Sequence, residues 1–487
     1  MKKSRLHLFI SRLVRAFPLG VQILLYLIVT IVFLENGVFG GVFCLIIVLG
    51  LCFFLRLKVW VLIFFLLISF FQFQQKIEDK ISISEFYNKE VTVEGWIINY
   101  PRVSDSINIE AKVKIEKIDL NIVDSSIILM LESTIQDEGY RMFDEIICVG
   151  IIREEKLFEK NYFASEGLVG KIICDKVEVI PEQSINPKVL SIVYYKDHLV
   201  QIVKAKLNQP YSDLFLGMIF GDDSQISTHL NNDIRNSGTA HIIAASGYNI
   251  NLVVSLAFVF GKKFKRGRLV IFSDLFLMIY LLLVGIDNVP AKRAIIMQIY
   301  LTTAWIFGKK ANIFYGFAIS MAFLFLENIY VYKSLSFLLS FIATFGIIIF
   351  YKPLRDILNK IIKDKWLSEA IAITTVSTMA TAPVLVIFFG KVNALSVFTN
   401  VLISPLIPLI FYFGFVFLIL TSLGIHSLFL NFIIYCMLDI LIKVIDILGG
   451  VGIATQSLEI NSYVILLILV LIMFGWFIKI FRSKYYG

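Results

Sequence analysis

The sequence predicts a polytopic α-helical membrane protein of about 12 spans or membrane-embedded helices, interrupted by an inserted extracytoplasmic small β-barrel of OB-like type. Three observations carry that prediction. The 487 residues are 58% hydrophobic and include 44 Phe, more than a soluble chain of this size needs to fill its core. Apolar runs close to the roughly 20 residues that cross a bilayer recur along the chain. One long polar stretch interrupts them, and there the apolar period changes to two.

The first 15 residues hold Lys2, Lys3, Arg5, Arg12 and Arg15, with no acid before Glu35, and the apolar run that follows is too long for a signal-peptide core. This start predicts a cytoplasmic tail and a retained first span. With runs at 18–35, 38–55 and 59–74, residues 1–75 form N-terminal transmembrane helices. Residues 76–185 form the barrel domain, in which 89–99, 107–118, 126–132, 143–153 and 168–180 have strand composition. Ile107, Ile109, Ala111, Val113 and Ile115 alternate with Asn108, Glu110, Lys112, Lys114 and Glu116, the pattern of a half-buried strand. Five short strands fit a Greek-key barrel. Residues 186–235 predict membrane-surface helices, the first at 186–207 mixing Leu190, Val193, Leu199 and Ile202 with Lys188, Lys196, Lys204 and Lys206.

The remaining 236–487 predicts a helical core, with apolar runs at 239–260, 269–286, 291–307, 312–326, 334–351, 367–389, 393–421, 427–448 and 462–480. Pro405 and Pro408 make 393–421 a kinked span or a re-entrant element. Orientation follows from the bases, because Lys and Arg are retained on the cytoplasmic side of short loops. With the N-terminus inside, 22 Lys and Arg fall in cytoplasmic segments, against four (Lys292, Arg293, Lys333, Lys391) in short external loops. Both termini are therefore expected in the cytoplasm and the barrel outside it.

Composition also excludes. The net charge of +8 sits mostly at the ends of apolar runs, while residues 76–206 hold 17 Lys or Arg against 23 Asp or Glu. An acidic barrel is a poor electrostatic trap for nucleic acid, so contacts there fall to aromatics such as Trp96, Tyr100 and Phe143, or to proteins. Five cysteines show no CxxC spacing; Cys148 and Cys174 either pair in an oxidising space or stay as two buried thiols. The five histidines (His7, His198, His229, His241, His426) are scattered, and no GxxxxGK[ST] loop is present. No catalytic residues, no metal site and no cofactor are expected.

A set of motifs lies downstream in a fixed order. Gly221 and Asp222 follow a helix-like segment, and SGTAHIIAASGYNIN occupies 237–251, with His241, Ala244, Ser246 and Gly247. Lys292, Arg293 and Ala294 precede Met297, FLLSFIATFGI occupies 337–347, and Phe389, Gly390, Asn400 and Pro405 close the series. In these elements the sequence resembles the ComEC competence family over most of 210–480, and the order of three helices, barrel and helical core matches as well. It departs from the family where Tyr248 and Asn249 replace a second histidine and where 158–167 lacks an Asn-Pro-Gly. It also carries no His-x-His-x-Asp-His signature, so the resemblance is to a form without the C-terminal metallo-β-lactamase-like domain.

The resemblance implies an inner-membrane channel that brings single-stranded transforming DNA into the bacterial cytoplasm. Its partners would be membrane lipids, a DNA-delivery protein outside, a separate nuclease and a cytosolic motor. Candidates for the DNA path are His241, Ser246, Gly247, Tyr248 and Asn249, on a helix that Gly247 is free to break; a small-residue packing seam is the competing reading. Lys292 and Arg293 either guide phosphates at an outer mouth or snorkel to the interface. Asn400 faces a water path or packs between helices. Asp439, Lys443 and Asp446 share one helix face inside an apolar run, where they pair internally, line a wet cavity or mark an interfacial helix. Two other functions fit parts of the sequence. One is a transporter of a smaller anionic or lipidic solute, with that charged face as its coupling site; the other is a membrane-anchored sensor or scaffold.

Overall fold

The computed structural model describes residues 59–104, 108–119, 121–123, 127–133, 141–156, 159–180, 187–222, 226–243, 247–261, 265–389 and 396–450. The runs predicted at 18–35, 38–55 and 462–480 lie outside the described residues. The helices in chain order are α1 (Val59–Ser84), α2 (Lys160–Glu166), α3 (Pro187–Lys206), α4 (Tyr211–Phe220), α5 (Thr228–Asn236), α6 (Gly247–Phe260) and α7 (Arg266–Val284). They continue as α8 (Val289–Ile306), α9 (Ile313–Glu327), α10 (Leu335–Ile361), α11 (Lys365–Phe389), α12 (Ser396–Ile403), α13 (Leu406–Ser422) and α14 (Leu428–Gly450). The strands are β1 (Glu90–Ile97), β2 (Arg102–Ser104), β3 (Asn108–Ile118), β4 (Asn121–Ile122), β5 (Ile128–Ser133), β6 (Glu145–Arg153) and β7 (Gly170–Ile180). The described residues divide into two compact units: those up to 190 with 263–278 and 285–334, and those of 191–262 with 279–284 and 335–450.

In the first unit five strands close a barrel in the order β1-β6-β7-β5-β3, because β1 pairs with both β6 and β3. β6 returns beside β1 to give a Greek key, and β7 then enters between β6 and β5, parallel to β5. The period-two pattern becomes the barrel interior: Val91 and Val93, Val113 and Ile115, Leu129 and Leu131, and Ile146 and Ile152 are all buried. β6 and β7 approach so closely at Gly150 that a Cβ there would lie 2.1 Å from the Ile173 carbonyl oxygen, at the point where their register shifts. A disulfide joins Cys148 to Cys174 across these two strands, Cα to Cα 5.8 Å, inside the core.

Loops between helices hold the barrel on one side. Asn288, Asn312 and Asn328 each cap the element that follows, accepting from Ala291 N, Phe314 N and Tyr330 N. Asn328 also donates through Nδ2 to Ala164 O and Ser165 O at 3.1 and 2.8 Å, fastening α2 to the 3₁₀ turn Ile329–Lys333. Lys112 of β3 is buried and reaches Glu166 of α2 and Asp287 of the α7–α8 loop, both at 2.6 Å. The barrel and the loops at 285–288 and 327–333 therefore form one body.

Lys76, on α1 beyond its apolar run, donates to Ala164 O at 3.3 Å and lies 4.7 Å over the Tyr330 ring. Burial lowers its pKa from 10.5 to about 8, against a raising contribution from Glu155. Between those two values the unfolded chain keeps a proton that the folded chain has released, so stability rises with pH across the window and the charge opposes folding below it. Replacing Lys76 with Met leaves Ala164 O still bonded to Asn328. The expected result is a higher melting temperature for K76M than for wild type at pH 7, with the gap closing toward pH 10, read by thermal scans of detergent-purified protein.

The second unit is helical. Four helices among the described residues are long and apolar enough to cross a membrane (Gly267–Val284, Leu335–Ile361, Lys365–Phe388 and Leu428–Gly450), the first divided between the two units; a fifth arises if α12 and α13, bent by 43° around Pro405, are counted together. Of the dozen expected, four or five are shown among the described residues. The run at 312–326 yields only a 15-residue helix, and 239–260 is interrupted before α6. Exposed apolar faces occur in each unit: Ile271, Leu275 and Met278 of α7 in the first, and Phe429, Phe432 and Ile447 of α14 in the second. Such surfaces suit lipid better than water. Inside, Gly346 of α10 approaches α11 so closely that a Cβ would come 2.6 Å from the Ala380 methyl, and Gly414 of α13 meets the Phe215 ring of α4.

Candidate functional site

In the second unit the motif residues gather at the ends of short helices. α4 is buried along its length and stops at Gly221, which adopts φ 71° and bonds back to Gly217 O at 2.9 Å. A helix end leaves carbonyls without intrahelical donors, and in an apolar surrounding these need partners. Asn249 of α6 donates to Met218 O at 3.1 Å, and the Tyr280 hydroxyl donates to Ile219 O at 3.0 Å. Asn249 is 3% exposed, so its amide serves this junction.

α5 is capped by Ser227, whose hydroxyl accepts from Leu230 N, and it unwinds through Ser237, Gly238 and Thr239. Gly238 takes φ 74°, Thr239 N returns to Ile234 O at 2.9 Å, and the buried Ser237 and Thr239 hydroxyls are 2.8 Å apart. Asn400 of α12 donates to Gly238 O at 3.4 Å, while its own Oδ1 is buried without a partner among the described residues. His241 follows in the 3₁₀ turn Ala240–Ile242 with an exposed side chain. Gly247 opens α6, Tyr248 is described only as its second backbone residue, and Ser246 lies outside the described residues. A polar 3₁₀ turn thus lies ahead of the apolar α6 in the chain.

Lys292 and Arg293 belong to the first unit. Lys292 pairs with Glu327, and Arg293 is buried in α8 with its guanidinium 3.3 Å from the Met297 sulfur.

A polar stripe runs along α14 where it packs on α4 and α5, and Tyr435, Asp439, Lys443 and Asp446 share that face. Asp439 accepts from Lys443 at 2.7 Å and from the Tyr211 hydroxyl at 3.1 Å, and the Tyr211 and Tyr435 rings lie 4.4 Å apart. Asp446 stands apart from this group. Its carboxylate lies with the His229 imidazole and the Asp233 carboxylate, the three donor atoms all within 4.8 Å of one another. Sequence reasoning set the histidines aside as scattered; the spacing of four between His229 and Asp233 in THLNNDIRN was the signal available.

A family model described as competence protein matches residues 218–482, which is 265 of 487 residues and just over half the chain. The matched region takes in the α4 end, the 3₁₀ turn at 240–242 and the α14 stripe, and it leaves out the barrel. No curated protein and no solved structure matches the chain.

Proposed function

The chain belongs to the competence protein family of the ComEC and Rec2 type, and from that premise we propose that it is the channel through which a single DNA strand enters the bacterial cytoplasm across the inner membrane. The observation that carries this reading is the family match itself, since it falls on the helical core and not on the barrel. The path is assigned to the 3₁₀ turn at 240–242, because a polyanion needs polar backbone and side chains where helices stop, and exposed His241 is a donor there. The acidic barrel receives a protein that delivers DNA, and its fastening to the loops at 285–288 and 327–333 agrees with one external side for all three. Both termini then lie in the cytoplasm. No energy source is visible in the sequence, so a cytosolic motor pulls the strand and a separate nuclease degrades its complement. The protein acts as a conduit and not as an enzyme.

Uptake of fluorescent double-stranded DNA tests this, with surface capture scored separately from cytosolic entry. In a deletion strain capture is expected to persist while entry and transformation disappear, with entry restored by the wild-type chain and reduced in the His241→Ala complement. Unchanged entry in the deletion strain, with no second copy present, would remove the DNA-channel reading and favour transport of a small anionic solute.

A further inference from the structure

We propose that His229, Asp233 and Asp446 form a binding site for one divalent transition-metal ion of the zinc class, bracing α5 against α14. His229 and Asp233 stand four residues apart on one face of α5, with Nδ1 3.0 Å from the Asp233 carboxylate. Asp446 comes from α14, more than 200 residues later in the chain. What brings it there is Gly449, three residues further along the same helix face. A Cβ at Gly449 would lie 2.7 Å from Asp233 O and 2.9 Å from Asp233 Cα, so the two backbones meet at this point only because that residue has no side chain.

The approach places two carboxylates together with little to neutralise them. Among the described residues no lysine or arginine pairs with Asp233 or Asp446, and Lys443, one turn away, is held by Asp439 at 2.7 Å. Asp233 is 9% exposed, so one of the two charges sits out of water. A divalent cation satisfies both carboxylates at once. One imidazole and two carboxylate oxygens suit zinc, because imidazole is a poor ligand for magnesium or calcium. Ligands around 2.0–2.2 Å from a tetrahedral ion are roughly 3.4 Å apart. The widest donor separation, at most 4.8 Å, closes by rotating the exposed Asp446 carboxylate toward the buried Asp233. Three protein ligands leave a fourth position for water.

The inference is independent of what passes through the protein, and a binding measurement tests it. Full-length chain purified in detergent, stripped with EDTA and dialysed against zinc, is expected to retain one zinc per chain by elemental mass spectrometry. His229→Gln and Asp446→Asn are each expected to weaken retention at least about tenfold. Asp439→Asn, outside the ligand set on the same helix, is expected to keep the metal. Cobalt substitution gives a second readout, with visible d–d absorption present in the wild type and absent in H229Q. The site is overturned if the wild type retains no zinc, if it prefers magnesium, or if D446N and H229Q bind as the wild type does. Unchanged gel-filtration profiles of the two exposed-residue variants separate loss of a ligand from loss of fold.

Discussion

Cutting the Cys148–Cys174 bond is expected to destabilise the barrel by about 3.5 kcal/mol, the chain-entropy value for cross-linking residues 26 apart. Both sulfurs are within the apolar core, at 1% and 2% exposure, so the Cys148→Ala, Cys174→Ala pair changes packing little while releasing the unfolded chain from its loop. β6 and β7 stay paired through the rest of their ladder, which makes a weakened barrel the outcome and not an absent one. Pulse proteolysis of the purified full chain in rising urea reads the effect directly. The midpoint for cleavage within 90–180 should fall in the double variant, and treating the wild type with reductant should move it by a similar amount. A midpoint that does not move in either case would mean that the ladder and the core alone set the barrel's stability. Because a thiol pair persists as a disulfide only in an oxidising space, the same measurement on protein made without access to that space should resemble the variant.

The barrel was the part of this fold most legible in the sequence. Stretches marked at 89–99, 107–118, 143–153 and 168–180 become β1, β3, β6 and β7 with ends displaced by a few residues at most, because alternation on a two-sided surface is a local signal. The short β2 and β4 and the seven-residue α2 were not marked, since elements of that length carry too few residues to show a period. α3 was legible as a helix, with Val193, Leu199 and Val203 buried and Tyr194, His198 and Lys204 facing out, but its polar face was not: Lys196, expected there, is buried over the Phe220 ring. Span counting was weaker, for a physical reason. Apolar length predicts a crossing only if the helix is continuous, and the run at 239–260 begins with the 3₁₀ turn Ala240–Ile242 ahead of α6, while the run at 393–421 bends at Pro405. The partners of the polar residues were the least legible. Asn249 with Met218 O, Asn400 with Gly238 O and Asp446 with His229 are joined by tertiary packing across 31 to more than 200 residues, which no local pattern encodes.

Lys112 shows how far such a contact reaches, and replacing it with Met is expected to loosen the barrel from the α7–α8 loop. Its stem is buried in the face of β3, and its ammonium is shared by Glu166 within the barrel domain and Asp287 in the loop, each at 2.6 Å. Burial works against that charge, yet Asp287 and Glu166 more than offset it and hold the Lys112 pKa above the ordinary lysine value. Removing the cation leaves two carboxylates facing each other beside an apolar strand. A fully buried pair broken in this way loses about 3–5 kcal/mol; with the carboxylate side chains 21% and 34% exposed, water relieves part of the penalty and about 1–2 kcal/mol remains. That is a factor of roughly 5–30 in the opening equilibrium, and hydrogen exchange of the amides at 160–166 and 285–289 should quicken by that factor in K112M. Amides of β6 in the barrel core should keep their wild-type rates. A group whose folded pKa is raised gives its full stabilisation below the unfolded value of 10.5 and loses it only as pH climbs past the folded one, so the difference between K112M and wild type should stay constant from neutral pH to about 9. The Asp287→Asn variant supplies the remaining arm of a double-mutant cycle. If its exchange rates add to those of K112M without coupling, the ion pair does not join barrel to loop, and the Asn328 bonds to α2 hold them together alone.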